Sequence, residues 1–496
     1  MFRRILKNGA ALGLGHVLQL LTQLLLPPVF LASYGVDGFA GWLVMTAMVS
    51  HLTTLDFGLQ SYTLNALTIL FHRGDRARFH RLQSVGLWLM LGLVGFGTAV
   101  LSIVFVLPVH DWLRLHDTMQ PRWTLFLLGA QLLASIALGQ LNGLHRVFGK
   151  AHRAVLIQNG QKLAMLIMTL TLAVANAPFW LIAATQLACV GLSLLLALRS
   201  LAKTAPEIFP TLRFWDLAEA CDVLRQSSLF GLFTLNQLLV FQAPVLIVNH
   251  LLGPAAVVAF SVTRTLFSFV RQGTNLLQVA TAPEMTRLAG VRDTAKLGRL
   301  YQLSESAVLS VALIGNTAML LGAPLVLGLW LKRPDLFEPR VALLMMLISL
   351  ALSVKEYKLY FQYATNEHAR TAILTSISYA LMVAAAVPLT LFFGVAGLLW
   401  IWLAAEVIQI ACIHSCNVRL LQGATSPKII PYLKLAAAAM AMAAIFTFAA
   451  RPPLFGGDLV AALKATALLL LLTAGCYFLF DGQMLAAAWR QQLNKE

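Results

Sequence analysis

PFWLIAATQLACVGLSLLLALR, residues 178–199, decides the class of the fold. Its only charge is the terminal Arg199. At a helical rise of about 1.5 Å per residue, a run of this length crosses a hydrocarbon core roughly 30 Å thick. A barrel strand needs only about 9–11 residues for the same crossing. Backbone groups inside lipid must bond within their own segment or close into a barrel, so an uninterrupted run this long reads as a helix.

Reading outward, a second apolar run at 154–175 ends in Asn-Ala-Pro at 176–178, which marks a tight turn. Arg199 and Lys203 close the quoted run and mark the cytoplasmic side. The same punctuation continues in both directions. It predicts spans near 9–33, 38–62, 84–108, 123–145, 154–175, 178–199, 227–252, 255–280, 303–331, 341–363, 372–393, 395–418, 433–451 and 459–481. The fold class is therefore an all-α polytopic membrane protein with about 14 transmembrane helices. The first run follows Arg3, Arg4 and Lys7 and is too long for the apolar core of a signal peptide, so it reads as a retained span.

Composition agrees. The 496 residues are 59% hydrophobic and 11% charged, with a mean hydropathy of +0.79. A soluble domain carries roughly 25% charged residues, so lipid must cover much of this chain. The net charge of +16 would suggest nucleic acid in a soluble protein. Here the basic residues sit in short loops: 24 fall in segments assigned to the inside, 6 outside and 6 within spans. That bias stays in phase from end to end and puts both termini in the cytoplasm. No nucleic-acid module is present. The five cysteines are scattered, which implies neither a disulfide framework nor a metal set, and no cofactor is expected.

The longest inside linker, 201–226, divides the chain. Residues 1–200 form an expected N-lobe of spans one to six, and residues 227–418 a C-lobe of spans seven to twelve. Residues 419–496 hold spans thirteen and fourteen and a cytoplasmic tail. The lobes show weak similarity at an offset of about 218, which aligns Gly35 with Gly253 and suggests a parallel repeat.

Ionisable groups inside spans cost about 2.5–3.5 kcal/mol each at the bilayer centre by insertion scales, so they face a cavity or a partner. Span eight carries Arg264, Ser268, Arg271, Asn275 and Gln278 at spacings that share one helix face. Arginine pairs with phosphate through a two-pronged fork, so this stripe reads as a wall for a diphosphate. Its structural alternative is a salt bridge to Asp56 or Glu406. Span two repeats the pattern with Thr53, Asp56, Gln60 and Thr63. Lys162 lies two turns into span five, and Lys355 sits deep in span ten, on a face shared with Lys358 and Gln362. Glu406 lies beside Trp402 and Gln409 in span twelve. Asp56 and Glu406 are the candidate coupling or counter-ion groups. Four deep cations, Lys162, Arg264, Arg271 and Lys355, outnumber those two carboxylates, which argues for an anionic substrate. Tyr357, Tyr360 and Tyr363 read as an interfacial belt.

The stretch LASYGVDGFAGWLVMTAMVSHLTTLDFGLQS, residues 31–61, resembles the first hairpin of bacterial O-antigen and polysaccharide flippases of the multidrug/oligosaccharidyl-lipid/polysaccharide exporter superfamily. QAPVLIVNHLLGPAAVVAFSVTRTLFSFV, residues 242–270, is similar to the matching C-lobe region, except that Gln242 stands where the family often has an acid. The resemblance implies two six-helix lobes around a cavity that opens alternately to either side of the bacterial inner membrane. The substrate would be an undecaprenyl-diphosphate-linked glycan, with membrane lipids and other polysaccharide assembly proteins as partners. Spans thirteen and fourteen would form a groove for the lipid tail. Coupling would come from a proton or sodium gradient or the membrane potential. No Walker motif supports ATP hydrolysis.

Two other classes stay open on the residues. A multidrug or organic-cation antiporter shares the fold and would be expected to show dominant carboxylates. A membrane glycan polymerase or transferase would need catalytic acids on a long outer loop, and Asp111, Asp117, Asp335 and Glu338 sit in short ones.

Overall fold

A computed structural model describes residues 2–56, 58–109, 120–148, 150–290, 293–365 and 369–421. Among them are helices and turns and no strand. The α-helices are α1 (Phe2–Ser50), α2 (Leu59–Arg73), α3 (Arg76–Ser102), α4 (Pro121–Val147), α5 (Ala151–Val174) and α6 (Phe179–Thr204). They continue as α7 (Leu217–Phe241), α8 (Ala243–Leu252), α9 (Pro254–Gly290), α10 (Thr294–Leu331), α11 (Pro339–Thr365) and α12 (Ala369–Leu420). Eight helical stretches among the described residues are long and apolar enough to cross a membrane. The expected outer loop at 110–119 and the spans at 433–451 and 459–481 lie outside the described residues.

The first and last of these helices each contain two expected spans, joined at a glycine. Gly35 has φ 69° and ψ −169°, and Gly394 has φ 63° and ψ −152°. This region of backbone space is open almost only to glycine. In a continuous helix Phe30 and Trp42 would stand about 18 Å apart along the axis. Their ring centroids are 5.2 Å apart, so the chain doubles back at Gly35. At the other hairpin Gly397 lies directly against the carbonyl of Leu389. Both turns carry the same four-residue spacing, Gly35-Val-Asp-Gly38 and Gly394-Val-Ala-Gly397.

Span two departs from expectation. Its helix stops at Ser50, continues as a 3-10 segment (His51–Asp56), and restarts as α2 after Gly58 in the left-handed region at φ 72°. The expected stripe of Thr53, Asp56, Gln60 and Thr63 is therefore broken in the middle. Its residues are used locally: the Thr53 hydroxyl donates to Ser50 O at 2.7 Å, and the Gln60 N–H donates to Asp56 Oδ1 at 3.3 Å. A carboxylate in this position stabilises the first turn of α2, whose N–H groups have no partner within the helix. Span seven is likewise divided, into α7 and α8, at Gln242. Pro244 follows and removes an N–H from the ladder.

The helices pack as two units, Met1–Val258 and Ala259–Glu496. The core of the first is built from Leu67, Phe79, Met90, Leu133, Leu144, Val190 and Leu201, and it takes in Ile208 and Val223 from the 201–226 linker. Gly139 and Gly143 of α4 let α2 approach closely, because Gln60 and Leu64 occupy the space a side chain would need. The second unit buries Tyr301, Val308, Tyr357 and Phe361. The surfaces are apolar where a soluble protein would be charged. On α12, for example, Ile373, Ile377 and Leu381 are all exposed along one face, facing the lipid that this class of fold requires.

Candidate functional site

The ionic centre of the second unit is built on four consecutive residues of α11, Lys355-Glu356-Tyr357-Lys358. Each step along a helix turns the side chain by about 100°, so four successive residues reach different neighbours. Lys355 reaches α12, where its Nζ stands 2.7 Å from Glu406 Oε2, with both side chains buried. Glu356 reaches α9 and accepts from Arg271 Nη1 at 2.6 Å. Tyr357 reaches α10, donating to Tyr301 O at 2.7 Å and sharing a hydrogen bond with Ser304 Oγ at 2.6 Å. Lys358 is fully buried and meets Glu305 of α10 and His414 of α12, each at 3.0 Å.

Glu406 and Glu305 have further donors. Glu406 Oε1 accepts from Tyr379 OH at 2.7 Å and from Trp402 Nε1 at 3.1 Å. Tyr379 OH also accepts from Lys355 Nζ. Glu305 accepts from Tyr301 OH at 3.0 Å. A second ring of amides closes the cluster: Gln362 Nε2 donates to Asn417 Oδ1 at 2.8 Å, and Asn417 Nδ2 donates to Lys358 O at 3.1 Å. Taking an ion out of water costs several kcal/mol, and only close pairing with saturated hydrogen bonds repays it. Close pairing and tyrosine donors offset part of that cost at Lys355–Glu406 and Lys358–Glu305.

The span-eight stripe becomes the contact between α9 and α11. Beyond Arg271–Glu356, Asn275 Oδ1 accepts from Tyr360 OH at 3.4 Å, and Gln278 Nε2 donates to Ser353 O at 3.5 Å. Arg271 thus pairs with Glu356, and Glu406 pairs with Lys355. Glu356 is a partner that the sequence alternative of Asp56 or Glu406 did not name. Tyr357 is a buried member of the cluster, not part of an interfacial belt. The Arg271 and Glu356 side chains keep 24% and 16% exposure, so theirs is the most exposed of the three ion pairs made by α11. Arg264, two turns toward the other end of α9, sets its guanidinium 5.3 Å from the Phe260 ring centroid, a cation–π distance. Lys162 belongs to the first unit and lies exposed on α5, and Asp56 lies half-buried ahead of α2 in the same unit.

The charge balance changes with these pairs. Within the second unit the structure adds Glu305, Glu356 and Lys358 to the deep set, so Arg264, Arg271, Lys355 and Lys358 stand with Glu305, Glu356 and Glu406, and the surplus of cations there falls from two to one. Glu356 and Glu305 were missed because each sits near the end of an apolar run. An acid between two lysines, as in Lys355-Glu356, was the signal that could have revealed the pairing.

No protein-family model matches the sequence, and no curated protein matches it. Solved structures are similar in fold. The lipid II flippase MurJ, in an inward closed conformation, superposes with a TM-score of 0.70 at 10% identity, over 95% of this chain and 98% of its own. An inward-facing multidrug resistance MATE family transporter of the MOP superfamily gives a TM-score of 0.67 at 16% identity, over 82% of this chain and 96% of its own. A MOP superfamily transporter from Pyrococcus furiosus with a binding pocket of reverse polarity gives 0.62 at 15% identity, over 85% of this chain and 96% of its own. All three are transporters or flippases. The chain is therefore a multi-pass helical membrane protein with the fold of MOP-superfamily transporters and of the lipid II flippase.

Proposed function

We propose that the chain is an alternating-access flippase. It moves a polyprenyl-diphosphate-linked oligosaccharide from the inner to the outer leaflet of the bacterial cytoplasmic membrane, for polysaccharide or O-antigen biosynthesis. The observation that carries this reading is the likeness to a lipid II flippase over 95% of the chain, against 82% and 85% for the two transporters above. The O-antigen assignment rests on the resemblance of residues 31–61.

In this reading Arg264, Arg271, Lys355, Lys162, Asn275 and Gln278 face the diphosphate and glycan. A diphosphate competes with Glu356 for the Arg271 fork, and forked hydrogen bonds to phosphate are among the strongest a side chain makes. Asp56 and Glu406 are the coupling or counter-ion groups. Glu406 is held by Lys355, Tyr379 and Trp402 and so ties α11 to α12.

A second reading is a multidrug or organic-cation antiporter of the same fold. The MATE likeness favours it. Gene deletion in the native cell separates the two. A flippase predicts accumulation of lipid-linked glycan on the cytoplasmic side and unchanged drug sensitivity. Drug sensitivity with normal glycan export would establish the antiporter.

A further inference from the structure

The linker between spans six and seven presents a row of large apolar side chains: Phe209, Leu212, Phe214, Trp215 and Leu217 are 37–67% exposed. A cytoplasmic segment in water would not carry such a row, because contiguous apolar patches on a soluble surface mark an interaction site. Yet the backbone beneath it is fixed. Ile208 is fully buried in the core of the first unit. Three side chains of α3 then hold the linker carbonyls: Gln83 Nε2 donates to Ile208 O at 2.7 Å, Ser84 Oγ to Thr211 O at 2.8 Å, and Trp88 Nε1 to Leu212 O at 3.1 Å.

These contacts climb α3 from its basic end into its apolar body. Trp88 lies about 10 Å along the axis beyond Arg81, at 1.5 Å per residue. The linker then descends again. Asp216 caps α7, accepting from Ala218 N at 3.0 Å, and Glu219 and Asp222 line one cavity with Arg78 and Arg81. The acids are thus turned to the arginines at the start of α3. The Leu212 carbonyl meets Trp88, which like Leu91 is exposed on α3. Arg213 is the cation left among the apolar side chains of the linker, with its guanidinium 5.9 Å from the Phe214 ring.

From this geometry we propose that residues 208–217 form a shallow dip into the cytoplasmic leaflet of the bilayer. The aromatic side chains lie at the headgroup–acyl boundary and Arg213 reaches the lipid phosphates. Aromatic rings with one wet edge partition to this level, and arginine on an apolar stem extends toward the headgroups. The partner is the lipid surface, and the inference does not depend on which substrate the transporter moves.

The test uses full-length protein with its five cysteines replaced and a single cysteine at Trp215→Cys, labelled with an environment-sensitive fluorophore. Phe214→Cys is the second position should the first variant fold poorly, since neither side chain holds the strap. Lys296→Cys, exposed near the start of α10, is the aqueous reference. The proteins are reconstituted in vesicles of phosphatidylethanolamine and phosphatidylglycerol containing a lipid with a nitroxide near its glycerol end. The expected result is strong quenching of the linker label by the nitroxide lipid, with iodide quenching reduced several-fold relative to the Lys296→Cys label. A linker label as open to iodide as the reference overturns the proposal. So does a label shielded from both quenchers, which would show that a second copy or another protein covers the patch.

Discussion

Gly35 and Gly253, 218 residues apart, hold nearly the same backbone conformation: φ 69°, ψ −169° and φ 87°, ψ −177°. The same offset relates Asn176, at φ 53°, to Gly394, at φ 63°. Four turns between expected spans therefore repeat in pairs along the chain, at the spacing where the sequence shows its weak internal similarity.

The conformations of Gly35, Gly253 and Gly394 are closed to residues with a Cβ at a cost of about 1–3 kcal/mol each. Gly35→Asn, Gly253→Asn and Gly394→Asn should each lower the thermal midpoint of the purified protein by several degrees. Gly58 lies in the ordinary left-handed region, with ψ 12°, and Gly58→Asn should be nearly neutral. Equal effects at all four sites would contradict this distinction.

Lys358 and Glu305 form a buried pair with little exposure on either side. Lys358→Met or Glu305→Gln alone leaves its partner's charge buried without compensation and should cost about 3–5 kcal/mol. The double variant removes both charges and should recover most of that loss. Thermal or denaturant unfolding in detergent of the two singles and the double measures the coupling. Additive losses would mean that the two groups do not depend on each other.

Arg271 is read as a ligand for diphosphate and Glu356 as its resting partner. Arg271→Ala should then reduce glycan export by roughly tenfold or more, the magnitude of one lost charged hydrogen bond of about 1.5–3 kcal/mol. Glu356→Gln keeps the guanidinium and should retain most export. Export assays normalised to protein level in the membrane decide the matter. Equal loss in both variants would make the pair a structural brace.

Glu219 lies outside the spans, and burial together with Asp216 raises its carboxyl above the usual glutamate range, against the opposing pull of Arg78 and Arg81. A carboxyl raised in the folded state binds its proton more tightly there than in the unfolded chain. Its contribution is thus present at acidic pH and is lost as pH rises through the folded value. Glu219→Gln should flatten that part of the profile of thermal midpoint against pH. An unchanged slope would place its origin in another group.

Much of the fold was legible because lipid imposes simple rules. Uncharged runs gave the helices, and Asn176, Gly253 and Gly394 gave the turns between them. The break in span two was not legible. Residues 51–56, His-Leu-Thr-Thr-Leu-Asp, hold no proline or glycine to mark a break, and only Asp56 and Gly58 hinted at a cap and a left-handed residue. Of the candidate site, helical spacing correctly put Arg271, Asn275 and Gln278 on one face. It could not say that the facing helix is α11, or that Glu356 is the arginine's partner. Partner choice depends on how helices rotate against one another, which periodicity within a single helix does not encode.

The central claim is translocation of a diphosphate-linked lipid. Its most direct measurement places the purified protein in vesicles carrying a fluorescent polyprenyl-diphosphate oligosaccharide and follows the fraction that an impermeant reductant can reach. This fraction should rise toward completion with the wild-type chain, and roughly tenfold or more slowly with Arg271→Ala, the magnitude of one lost charged hydrogen bond. Vesicles that protect the lipid equally with and without the protein, while an organic cation is carried down an imposed ion gradient, would contradict the flippase and establish the antiporter.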